Sequence, residues 1–134
     1  MIKGIDHVAL VTTDVERAAK FYTEKLGFHE TARLETTHSG TIIFVSLNGC
    51  QVELFGNGRP RGPNESPYGG EQVGYKHMTL LVDSVDDEHA RLKALGVRFF
   101  MEPADVESGM RLAFFTDPDG NAIELLERPE QKLL

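Results

Sequence analysis

Two stretches of this chain carry the same pattern, and that repetition constrains the fold more than any other feature. His7-Val-Ala-Leu-Val leads to Asp14 and into VERAAKFYTEKLG; seventy residues later His77-Met-Thr-Leu-Leu-Val leads to Ser84 and into VDDEHARLKALG. Asp14 and Ser84 keep that spacing, and Gly27 and Gly96 keep it to within one residue. NGCQVEL (48–54) then answers DGNAIEL (119–125), with Gly49 and Gly120, and Glu53 and Glu124, each 71 residues apart. Such a repeat restricts the architecture to two copies of one supersecondary unit. A chain of 134 residues is too short for two independent domains of ordinary size. The copies are therefore expected to form one domain over 1–134, with modules 3–56 and 74–128 joined by a linker at 57–73.

Each copy reads β-α-β-β-β. Alternating strands are expected near Ile5–Thr12 and Tyr75–Asp83, where apolar residues recur every second position. Val15, Ala18, Ala19, Tyr22 and Leu26 then fall at helical spacing between the capping residue Asp14 and the terminating Gly27. Val85, Leu92 and Leu95 form a thinner stripe between Ser84 and Gly96. Further strands follow near 28–34, 41–47 and 51–55, and near 97–101, 111–115 and 122–126. The fold class is α+β. Between the modules, Gly56 to Gly74 is rich in Gly, Pro and polar residues, which resist regular structure. It reads as a linker, a mobile flap, or both. Its length permits pairing of the modules within one chain or exchange between two chains, and a homodimer is the expected assembly. The tail RPEQKLL reads as peripheral.

Composition removes several functions. A formal net charge of -7 with no basic stripe argues against a nucleic-acid partner. No apolar run approaches the roughly 20 residues that span a bilayer, and no signal-peptide core follows Met1. A cytoplasmic protein with a small-molecule substrate, and no membrane partner, is expected. With one cysteine, Cys50, no intrachain disulfide or cysteine-based zinc cluster can form.

Strand parity places four polar residues together. Side chains alternate across a strand, so Ile123 and Leu125 face the helix-covered core while Glu124 points away. Glu53 opposes Val52 and Leu54 in the same manner, His77 is opposed to Met78 and Leu80, and His7 to Val8 and Leu10. All four project from the sheet face opposite the helices. A glutamate midway along an apolar strand is costly unless its charge is compensated. A divalent cation provides that compensation, and two imidazoles with two carboxylates suit Zn, Ni, Co, Fe or Mn better than Ca or Mg. The competing explanation is a pair of ion pairs inherited through duplication. His29, His38 and His89 have no repeat counterpart and read as surface residues.

At these residues the chain resembles the vicinal oxygen chelate superfamily, which includes glyoxalase I, methylmalonyl-CoA epimerase, extradiol dioxygenases and fosfomycin resistance proteins. The motifs HVALVTTDVERAAKFYTEKLGF and FFTDPDGNAIELLE resemble its two ends, and the likeness covers about Ile5 to Glu127. It implies paired βαβββ modules whose curled sheets enclose one metal held by His7, Glu53, His77 and Glu124. The intact two-histidine, two-glutamate set favours glyoxalase I or the epimerase over the dioxygenases and fosfomycin proteins. The ending DPDGNAIEL is closer to glyoxalase I. One departure is Val11, where bacterial glyoxalase I commonly carries an arginine that helps to hold glutathione, so the thiol is left open.

The resemblance implies a lyase or isomerase acting on a hemithioacetal or other α-oxo compound through a metal-stabilised enediolate. Glu124 would move the proton, with Glu53 as the opposing carboxylate. The alternatives are an acyl-CoA epimerase using both glutamates, a small-ligand binding or resistance protein, and a dioxygenase. Arg33 and Arg111 could meet an anionic substrate, although solvated surface charge is the more ordinary role. Phe44, Met101 and Phe114 could line a pocket, although core packing is more ordinary. Cys50 is read as non-catalytic, and Asp117-Pro118-Asp119-Gly120 as a structural turn.

Overall fold

A computed structural model describes residues 1–62 and 73–129. Its contacts divide the chain into two compact units, Met1–Arg61 and Gly62–Leu134. Most of the expected linker, and the tail beyond Pro129, lie outside the described residues.

In the first unit, strand β1 (Val8–Val11) leads to helix α1 (Val15–Glu24), and strands β2 (His29–Thr36), β3 (Gly40–Leu47) and β4 (Cys50–Phe55) follow. The sheet order is β1-β4-β3-β2, with β1 parallel to β4 and the other pairs antiparallel. Asp14 caps α1 by accepting from the Arg17 amide at 3.0 Å. Gly27, at φ 83°, turns the chain out of the helix in a conformation that favours glycine. Val15, Ala18, Ala19, Phe21 and Tyr22 are buried on the helix, and Ile43, Val45, Val52 and Leu54 on the strands. Full burial of one such large apolar side chain contributes about 1.5–3 kcal/mol. Beyond β4 the chain turns back across the β1–α1 corner, where the Gly58 amide donates to the Thr12 carbonyl at 2.8 Å. A Cβ on Gly58 would stand 2.5 Å from Val11 Cγ1 and 2.9 Å from that carbonyl oxygen, so only glycine fits.

The second unit repeats this plan with β5 (Met78–Leu81), α2 (Val85–Ala94), β6 (Phe99–Asp105), a single 3-10 turn at Glu107–Gly109, β7 (Arg111–Thr116) and β8 (Ala122–Glu127). Its order is β5-β8-β7-β6, with β5 parallel to β8. Both sheets are open, with the first strand of the unit at one edge. The expected α+β class and repeated βαβββ modules are therefore observed.

Four details depart from expectation. The first strand of each unit is shorter, beginning at Val8 and Met78. His7 and His77 stand one residue outside the ladder, whose first pairs are Val8 with Val52 and Met78 with Ile123. Leu95 is 45% exposed rather than part of the inner stripe, because α2 ends at Ala94 and the following turn carries Leu95 outward. Its place is taken by His89, four residues after Val85 and three before Leu92, whose ring packs edge-on to Phe99 at 4.5 Å. His89 is therefore not the surface residue expected. Finally, Phe44 and Phe114 belong to the sheet face opposite the helices, each in register with the glutamate of its own unit, Glu53 and Glu124 respectively.

The two arginines read as possible anion contacts clamp each helix to its sheet instead. Arg33 bonds Glu30 at 2.9 Å and Glu16 in the first turn of α1. Arg111 bonds Asp86 in the first turn of α2 and Asp105 on β6, each at 3.0 Å. Glu16 and Asp86 are repeat equivalents, whereas their arginines come from different strands.

Candidate metal centre

The register of each sheet builds half of the predicted quartet. In the first unit Ala9, Glu53 and Phe44 stand side by side across β1, β4 and β3. Thr79, Glu124 and Phe114 occupy the equivalent row in the second. Each histidine lies two residues before the first member of its row and so shares its face.

In the first unit His7 Nε2 lies 3.0 Å from Glu53 Oε1, and in the second His77 Nε2 lies 3.2 Å from Glu124 Oε1. Each carboxylate is the more covered partner: the Glu53 and Glu124 side chains are 15% and 13% exposed, against 34% and 25% for the histidines. A phenylalanine stands edge-on to each imidazole, Phe44 at 5.3 Å from His7 and Phe114 at 5.0 Å from His77. The four predicted residues are thus brought together as two pairs, one per unit. Among the described residues, no group of three or more His, Cys, Asp or Glu side chains could hold a metal ion.

The supports of the two pairs differ. His7 Nδ1 is 2.8 Å from Asp6 Oδ2, and that hydrogen bond raises the imidazole pKa above its ordinary value, with desolvation opposing and the Glu53 charge assisting. When Asp6 accepts from Nδ1–H, the tautomer presents Nε2 to a cation. In the second unit the support falls on the carboxylate: the Thr79 hydroxyl donates to Glu124 Oε1 at 2.7 Å. Neither Asp6 nor Thr79 is part of the repeat, since Lys76 and Ala9 occupy the corresponding positions. Their roles consequently had no signal in the duplicated pattern.

The donor chemistry fits a divalent transition metal. Each pair offers one imidazole nitrogen and one carboxylate oxygen, ligands suited to Zn, Ni, Co, Fe or Mn. The glutamates are supported from behind by well-ordered turns. Asn48 and Gly49, at φ 48° and 84°, reverse the chain before β4. Asp117, 3% exposed, does so before β8, accepting from the Asp119 and Asn121 amides at 2.9 Å. The DPDG segment is structural, as expected.

Sheet order, paired modules and the His–Glu rows together define a class of proteins in which two βαβββ units present polar residues from their sheet faces. The chain belongs to the Glyoxalase/Bleomycin resistance protein/Dioxygenase superfamily, whose family model matches residues 4–125. It is 32% identical to the uncharacterized protein YwkD of Bacillus subtilis, over 96% of this chain and 99% of that one. It is 29% identical to a probable lactoylglutathione lyase of Vibrio parahaemolyticus, over 92% of this chain and 90% of that one. The crystal structure of a glyoxalase family protein from Enterococcus faecalis matches with a TM-score of 0.79 at 26% identity, covering 93% of this chain and 98% of that one. Among the described residues, no helix is long and apolar enough to cross a membrane.

Proposed function

We propose that this protein is a metal-dependent lyase or isomerase of glyoxalase I type, acting on a hemithioacetal or another α-oxo compound. The observation that carries this reading is the repeated His–Glu pair, with Nε2 to Oε1 distances of 3.0 and 3.2 Å in the two units. His7, Glu53, His77 and Glu124 would hold one divalent cation once the modules pair, within one chain or across a homodimer. The likeness to a probable lactoylglutathione lyase supports the same class.

When bound, the cation supplies positive charge for the oxygens of the substrate. The residues supply the rest. Glu124 takes the proton from the carbon beside the carbonyl and returns it to the neighbouring carbon, as a base and then an acid. Glu53 balances charge from the other pair, while Phe44 and Phe114 hold the imidazoles in orientation and keep water from their flanks. Metal-loaded protein supplied with methylglyoxal and a range of thiols should form thioester. Absence of thioester with every thiol overturns the reading.

The near equality of the two His–Glu pairs also suits epimerisation of an acyl-CoA thioester, where two carboxylates serve opposite faces of one carbon. Solvent deuterium entering the α-carbon of methylmalonyl-CoA would favour that reading over the lyase.

A further inference from the structure

We propose that Thr79 is a positioning residue for Glu124, and that it is the device by which this chain gives its two glutamates different jobs. The inference rests on the reading of Glu124 as a metal ligand and base. Thr79 and Glu124 are register partners across the parallel β5–β8 pair, so their side chains leave neighbouring strands on one face. The hydroxyl donates to Oε1 at 2.7 Å, and His77 Nε2 approaches the same oxygen at 3.2 Å. Oε2 takes part in neither contact. A β-branched residue on a strand has few χ1 options, so the donor is fixed by backbone position rather than by a flexible stem.

The equivalent register partner of Glu53 is Ala9, which carries no hydroxyl. A carboxylate that passes between a cation and a proton needs a partner that remains in place during the exchange. Thr79 gives Glu124 such a partner, whereas Ala9 gives Glu53 none. The hydroxyl holds Oε1 in place, so that Oε2, which takes part in neither contact, is the oxygen that would be left to turn between a cation and a proton. Hydrogen bonds of this kind behind a ligand typically govern metal affinity or activity by roughly 10–100-fold.

The test uses the full chain with manganese as the probe, comparing wild type with Thr79→Val, Thr79→Ser, Glu124→Gln and the Thr79→Val/Glu124→Gln double variant. Thr79→Val should weaken manganese binding by roughly tenfold and lower kcat with little change in KM, while Thr79→Ser should restore both to within about twofold. In the Glu124→Gln background Thr79→Val should add no further loss, because its effect passes through the carboxylate. Thr79→Ala removes the hydroxyl without adding bulk and should reproduce the valine variant, guarding against misfolding of the latter. Unchanged manganese affinity and kcat in both hydroxyl-free variants would overturn this inference alone. Wild type that binds no manganese or other divalent transition metal would overturn the metal reading, and this inference with it.

Discussion

In the first unit Asp6 stands 2.8 Å from Nδ1 of His7 while Ala9 lies beside Glu53; in the second, Lys76 precedes His77 while the Thr79 hydroxyl donates to Glu124 at 2.7 Å. The duplicated units thus support opposite members of the same pair. Their helices diverge in parallel. Five residues of α1 are buried, Val15, Ala18, Ala19, Phe21 and Tyr22, whereas α2 buries only Val85 and Leu92 fully. In compensation α2 carries Asp86, Asp87 and Glu88 in its first turn and Arg91 and Lys93 in its last, each complementing the helix dipole. Glu127, where the first unit has Gly56, reaches back from β8 to accept from the Val85 amide at 2.8 Å. Duplication preserved the register that aims the polar rows, and left the means of holding each row free to change.

The largest expected effect separates the two glutamates. In metal-loaded protein Glu124→Gln should reduce turnover by roughly 10²–10⁴-fold, the usual contribution of a positioned acid–base group, and Glu53→Gln should reduce it far less. Equal losses would make the units equivalent and favour the epimerase reading.

Next in size is the thin core beneath α2. Leu92→Ala should destabilise the chain by about 2–5 kcal/mol in urea unfolding, since a wholly buried leucine is removed and a cavity is left under the helix. A loss below about 1 kcal/mol would mean that charge rather than packing holds this helix. The smallest effect concerns that charge. Glu127→Gln keeps an oxygen acceptor but removes its negative charge from the helix N-terminus, and should cost about 0.3–1 kcal/mol at low salt. The difference should shrink toward zero in about 1 M salt, where screening acts within roughly 3 Å. A difference that persists there would assign the role of Glu127 to hydrogen-bond geometry alone.

Element order was legible because the repeat supplied two independent readings of each strand and helix. Parity then placed Glu53 and Glu124 on the face away from Leu54 and Leu125, and register in both sheets agrees. Legibility ended where the information was not periodic. His89 lies on the spacing of the α2 stripe, yet its polarity concealed it, since nothing local announces that Phe99 will cover the ring. Phe44 and Phe114 read as pocket lining or, more ordinarily, as core; each lies two positions after Ile42 or Leu112 and shares the face of the glutamate in its row, and Phe114 is buried there at 8% exposure. Asp6 and Thr79 were invisible for a different reason: each bonds a site residue directly, but at a position where the two copies disagree, Lys76 answering Asp6 and Ala9 answering Thr79. Val11, by contrast, was a legible departure, and it is 62% exposed at the edge of its sheet.

The central claim is that two half-sites, one from each unit, hold one cation. Elemental analysis of protein purified without chelator, read beside its thermal melting with and without added metal, tests this most directly. One divalent transition metal per two-module site is predicted for wild type, with melting raised by metal because a ligand bound only to the folded state adds RT ln(1 + [L]/Kd) to stability. His77→Ala should lose both the metal and that rise, while melting like wild type when both are chelated. Retention of metal content and of the metal-dependent rise in His77→Ala would contradict the account and return the four residues to two inherited ion pairs.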